Sequence, residues 1–146
     1  MPVAPDLAGR TFAPTAPYEV SAPAIADFAA AIGHEHTSGD NAPPTFAIVV
    51  AFGAMTDLMH DPEVGISLHN VVHADQKFEI TRPVRAGDVL TARLTVDSVR
   101  QMAGTDIIST RSEITTATGE HVCTAYATLA HRAPTEPAAT ADGTDA

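Results

Sequence analysis

The chain has 146 residues, enough for one domain with a real hydrophobic core. Apolar residues make up 45% but aromatics only 5%, and Trp is absent, so the core must come from Ala, Val, Ile and Leu with a few Phe. A net charge of −10 repels phosphate backbones and anionic lipid, which argues against nucleic acid or a membrane surface as partner, and one cysteine, Cys123, excludes an intrachain disulfide and suits a reducing cytoplasm.

Residues 1–17 contain four prolines and read as an irregular lead-in, with neither the basic start nor the apolar run of a signal peptide. Tyr18-Glu19-Val20 reads as a short strand. Ser21 is a good helix N-cap, and Pro23 is tolerated in a first turn. Ile25, Phe28, Ala29 and Ile32 then recur at helical spacing until Gly33 stops the helix. Residues 34–44 form a polar loop ending in Pro43-Pro44. The apolar stretch from Phe46 to Met59 is too short to cross a bilayer, which needs about 20 residues. It reads as a helix apolar on nearly every side, which must be wrapped.

After Asp61-Pro62 the period changes to two. Val72, Ala74, Gln76, Phe78 and Ile80 fall on one face, and His73, Asp75, Lys77 and Glu79 on the other. Residues 82–88 turn the chain, and Leu90, Ala92, Leu94 and Val96 alternate next. Residues 102–105 and 117–119 are further turns, with strands over 106–116 and 120–132. Four antiparallel strands in a meander are expected. A curved sheet around one long helix buries both, an α+β arrangement. Residues 1–132 form the domain, and 133–146, poor in core formers, form a disordered tail.

Four stretches, taken in order, carry a resemblance: Tyr18-Glu19-Val20, Asn41-Ala42-Pro43-Pro44-Thr45-Phe46, Val72-His73-Ala74-Asp75-Gln76-Lys77-Phe78 running into Arg82-Pro83-Val84-Arg85-Ala86-Gly87-Asp88, and Glu120-His121-Val122 through Thr128-Leu129. Over about residues 7–132 the chain resembles the N-terminal-type, FAS1-like members of the MaoC-like dehydratases. Within them it is similar to the small non-catalytic subunits of actinobacterial (3R)-hydroxyacyl-ACP dehydratases. The resemblance implies a hot-dog fold and loss of water from a 3-hydroxyacyl thioester on acyl carrier protein or coenzyme A, without a cofactor. That reaction needs an acid–base pair and a donor to the developing thioester oxyanion.

Catalytic relatives carry Asp-x-Asn-Pro-x-His after the first helix and commonly a Gly at the start of the buried one. Here the loop reads His34-Glu35-His36-Thr37-Ser38-Gly39-Asp40-Asn41, and Pro44, which has no N–H, stands where that Gly would be. The resemblance therefore implies a partner MaoC-like chain that supplies catalysis, or else a homodimer, while this chain shapes the acyl tunnel. His34, His36 and Asp40 are candidates for a substitute acid–base pair, against a solvated polar loop. No metal site is expected.

The resemblance places Thr45 and Phe46 beside the acyl pocket, against simple packing. His73 lines an interface or substrate channel, against a solvent-facing strand histidine. Cys123 reads as core filler. Six of the eight basic residues (Lys77, Arg82, Arg85, Arg93, Arg100 and Arg111) fall between 77 and 111, either as a local patch or as strand residues facing water. Acyl carrier protein is acidic, so Arg82 and Arg85 are candidates for its landing site. A stand-alone dehydratase or thioesterase, or a non-enzymatic acyl-binding module, are the other readings.

Overall fold

The computed structural model describes residues 3–37, 39 and 41–132. The tail expected over 133–146, and the candidate Asp40, lie outside them.

The elements are β1 (Tyr18–Glu19), α1 (Ala22–Ala31), a 3-10 turn (Pro44–Ala47) leading into α2 (Ile48–His60), a second 3-10 turn (Leu68–Asn70), β2 (Val71–Ile80), β3 (Val89–Met102), β4 (Thr105–Thr116) and β5 (His121–Arg132). α1 starts as its sequence dictates: Ala24 N–H donates to Ser21 Oγ at 3.1 Å, satisfying one of the orphan donors of the first turn. It stops where Gly33 takes a positive φ of 70°. β3 and β4 are joined by a two-residue turn in which Ala103 and Gly104 both have positive φ, the geometry that suits the twist of a tight hairpin.

The five strands form one antiparallel sheet in the order β1-β3-β4-β5-β2. Only β3, β4 and β5 form the expected meander. β2 does not pair with β3 but crosses to the far edge beside β5. The reason lies in residues 81–88, which are too long for a hairpin turn. Thr81 N–H bonds to Val122 O at the β5 end, and Gly87 N–H bonds to Val20 O at the β1 end. The link thus runs across the end of the sheet. Arg82 clips it there, donating to Asp88, Glu120 and Pro83 O at 2.9–3.3 Å.

β3 buries Leu90, Ala92, Leu94 and Val96, as their alternation predicts. Against β3 and β4, α2 lays Val50, Ala51, Ala54, Met55 and Leu58. Each fully buried Leu or Met side chain contributes roughly 2 kcal/mol. The curled sheet wraps α2 as expected, and Phe52, at 49%, and Gly53 stay exposed on the helix's outer side. On that outer side Thr15 and Ala16 of the lead-in border Val49 and Gly53.

From Val3 onward the lead-in is irregular, as expected, yet tied to the sheet by its backbone. Gly9, Phe12 and Thr15 N–H donate to Val96, Leu94 and Ala92 O, so residues 9–15 and β1 cover the free edge of β3. At the opposite edge β2 has β5 on one side and, among the described residues, no strand on the other.

A buried polar pair ties the sheet to the loop before β2. His131 and Asp106 are fully enclosed, with His131 Nδ1 3.1 Å from Asp106 Oδ2. Ser67 N–H donates to His131 Nε2 at 2.9 Å. A backbone amide can only donate, so Nε2 carries no proton and Nδ1–H donates to the carboxylate. Asp106 Oδ1 accepts from Gln101 Nε2 at 2.7 Å.

Candidate functional site

The uncovered side of α2 and the uncovered strand β2 meet in an open cleft of about 520 Å³, lined by Pro44, Thr45, Ile48, His73, Gln76, Lys77, Phe78 and Ile80. His73 reaches it through a backbone irregularity. Simple alternation sets His73 apart from Gln76, Phe78 and Ile80, but the β2–β5 register shifts between His73 and Asp75. This β-bulge exchanges the faces on its N-terminal side. His73 therefore joins Gln76, Phe78 and Ile80 on the cleft wall, while Val72 is turned to solvent at 62% exposure. The expected alternation of β2 is corrected accordingly. His73 Nε2 lies 3.0 Å from Gln76 Oε1, so Gln76 orients the imidazole.

The floor of the cleft is the start of the 3-10 turn. Its N-cap is Pro43, whose side chain makes no capping bond, and Pro44 opens the turn without an N–H. Thr45 is exposed on the wall, but Phe46 is not: its ring is buried against Phe28, 5.3 Å between centroids, and Tyr18, at 6.5 Å.

A second, partly open pocket of about 330 Å³ shares Pro44 and Ile80 with the cleft and is walled mainly by Ala42, Pro43, Ala47, Pro83, Val84 and Cys123. Burial pushes the Cys123 thiol up to about 11, with the Glu113 carboxylate adding to the shift, so the thiol is neutral at ordinary pH and unsuited to attack.

The FAS1-like dehydratase domain region family matches residues 6–125. The chain belongs to that family. A UPF0336 protein of Streptomyces coelicolor is 41% identical over 143 residues, spanning 89% of this chain and 95% of the relative. One chain of the C-terminally truncated HadBC (3R-hydroxyacyl-ACP dehydratase) complex from Mycobacterium tuberculosis is 31% identical with a TM-score of 0.73, covering 86% of this chain and 97% of that one. A MaoC-like dehydratase superposes with a TM-score of 0.76 at 26% identity, over 88% of this chain and 43% of the other. The fold of this FAS1-like dehydratase-region chain is the hot-dog arrangement of a curled antiparallel sheet on a helix.

Within this family member the sequence candidates separate. Thr45 and His73 share the cleft. His36 and Arg85 line a different cavity, of about 530 Å³, with Ala22, Pro23 and Ile25 of the α1 region. His34 is exposed just past α1 and borders neither. Arg82 holds the sheet end together with all five of its N–H groups engaged. Of the other basic residues, Arg111 is paired with Asp97 and Glu113, and Lys77 sits 4.7 Å over the Tyr126 ring. Ile48, Gln76 and Ile80 were missed as site residues, since no pattern sets them apart from ordinary helix and strand positions.

Proposed function

We propose that this chain is a subunit of a (3R)-3-hydroxyacyl-thioester dehydratase, in which it forms one wall of the acyl site and a MaoC-like partner supplies the acid–base chemistry. The observation that carries the reading is the makeup of the cleft. It is apolar, it is open along β2 and α2, and among the described residues it contains no carboxylate and no Asp–His pair. Pro44 offers no N–H to a thioester oxyanion. Dehydration needs both functions, so the half-site is incomplete until another chain closes it. Membership of the dehydratase family and likeness to a chain of a (3R)-hydroxyacyl-ACP dehydratase complex favour the same division of labour.

The partner docks along β2, whose free backbone groups can extend the sheet, and over the exposed face of α2 at Phe52. The substrate is an acyl thioester on acyl carrier protein or coenzyme A, and the reaction takes place in the cytoplasm. Arg85, exposed and without a side-chain ion pair among the described residues, is the better carrier contact, because Arg82 is engaged within the chain. Charge reversal at Arg85 should weaken carrier binding in a salt-dependent manner.

The test compares variants in the assembled pair. Replacing the histidine of the partner's Asp-x-Asn-Pro-x-His by Ala should abolish turnover, whereas His36→Ala in this chain should leave it intact. The reverse result would move catalysis into this chain. One observation favours a second reading: His73, oriented by Gln76 in the cleft, is placed to act as a base in a stand-alone enzyme. His73→Ala would then remove an activity that the chain shows without any partner.

A further inference from the structure

A hydroxyl, an imidazole and a carboxylate stand in line outside the cleft. Thr81 follows the last residue of β2, and its Oγ1 lies 2.7 Å from Nδ1 of His121, the first residue of β5. The other ring nitrogen, Nε2, lies 2.8 Å from Thr124 Oγ1 and 3.2 Å from Glu113 Oε1. Thr124 Oγ1 is in turn 2.7 Å from the same carboxylate oxygen. Glu113 and Thr124 face one another across β4 and β5 on the side of the sheet turned away from the core, and none of the four residues lines the cleft.

The hydrogen bonds fix where the protons are. The Thr124 hydroxyl first, then Arg111 and His121, outweigh the burial of Glu113 and hold its carboxyl below the usual range, so at neutral pH it can only accept. Thr124 therefore spends its one proton on Glu113, and its oxygen accepts from His121 Nε2–H. With neutral His121 protonated at Nε2, Nδ1 is bare and accepts from the Thr81 hydroxyl. Thr81 is exposed and His121 half-exposed, so this hydroxyl is open to a reactant while a positioned base holds its proton. The nearby backbone supplies no oxyanion donor: the N–H groups of Thr81 and Arg82 both go to Val122 O. Attack on an unactivated carbonyl is thereby disfavoured, and the reactant must carry a good leaving group.

We propose that Thr81 is a nucleophile, with His121 as its base and Thr124 and Glu113 as positioning residues, and that it takes an acyl group from activated donors of the thioester and aryl-ester class. Thr81 Oγ1 attacks the carbonyl carbon while its proton passes to His121 Nδ1. The carbon–sulfur bond of a thioester then breaks, and the thiolate leaves with that proton as free thiol. The product, an alkyl ester on Thr81, is not itself activated, so it persists and the reaction stops after one acyl group per chain. Neither the cleft nor a partner chain enters this step.

The probe is p-nitrophenyl acetate on the purified full chain, with p-nitrophenolate release followed by absorbance and the acetyl group located by peptide mass spectrometry. Lys77 is the sole lysine, so competing acylation of amines is confined to it and the N-terminus. The expected result is a burst of about one p-nitrophenolate per chain without turnover, and an acetyl group on Thr81. Thr81→Val should abolish the burst, Thr81→Ser should restore it, and His121→Gln should slow it about a hundredfold. His60→Ala, at the exposed end of α2, should leave it unchanged. Butanoyl-CoA in place of the ester should leave one butanoyl group on the same residue. Acetylation found only at Lys77 or the N-terminus, or a burst that survives Thr81→Val or runs at the same rate in His121→Gln, would overturn the proposal and leave the reading of the cleft untouched.

Discussion

Arg82 and Asp88 show how much of this fold depends on single side chains. The link from β2 to β3 has to cross the end of the sheet, and the paired guanidinium and carboxylate hold it there. Burial alone would push the Asp88 carboxyl up, but hydrogen bonds from Arg82 and from Arg85 N–H outweigh it and hold the group below the usual carboxylate range. Glu113 is held low as well, first by the Thr124 hydroxyl and then by Arg111 and His121, against the opposing effect of its own burial. A carboxyl depressed in the folded state stabilises the fold above its unfolded pKa, near 4, and that contribution is lost as pH falls through the folded value. Urea midpoints of the native chain should therefore drop on acidification below about pH 4, and Asp88→Asn should be less stable at neutral pH but show a shallower acid slope. An Asp88→Asn chain with an unaltered slope would remove Asp88 from this role. His131 is the second such residue. His131→Ala leaves the Asp106 carboxylate and Ser67 N–H buried without their partner, and should cost about 3 kcal/mol in urea unfolding. A loss of a few tenths would contradict the pairing.

At the level of elements, β3 and α1 were legible because each obeys one period from end to end. Leu90, Ala92, Leu94 and Val96 never break alternation, and Ser21 and Gly33 bracket α1 with recognisable caps. β2 was not legible, because a bulge is a backbone event that leaves no mark in an apolar–polar pattern. Val72 and Ala74 look like the start of a core face, and the structure turns Val72 to solvent and His73 to the cleft. The crossing of β2 to the far edge was equally hidden, since only the fold shows that residues 81–88 run across the end of the sheet, where Arg82 meets Glu120. Of the site, Thr45 came from resemblance and His73 from strand alternation, though on the opposite face from the one alternation gave it, whereas the pocket at Cys123 required the fold. The apolar character of α2 was legible and its cover is this chain's own sheet, as expected, but which helix residue stays exposed needed the fold. Phe52 marks the side left open. Phe52→Asp should leave the stability of the isolated chain nearly unchanged and weaken assembly with the MaoC-like partner about ten- to a hundredfold, the equivalent of one lost Phe burial, as read by light scattering. Unchanged assembly would place the interface elsewhere.

For the whole molecule the two sheet edges tell the larger story. The lead-in covers the β3 edge with its own backbone, and the β2 edge, the open face of α2 and the cleft between them lie together on the other side. An exposed edge beside an apolar cleft invites a second chain. Because the cleft holds no carboxylate among the described residues, the function proposed above assigns the chemistry to the second chain. The most direct measurement is turnover of a 3-hydroxyacyl thioester by the purified chain, by its MaoC-like partner, and by the two mixed. The account predicts no turnover by this chain alone and a rate in the mixture well above that of the partner alone. Full activity of the chain by itself, or a partner whose rate is the same with and without it, would contradict the account.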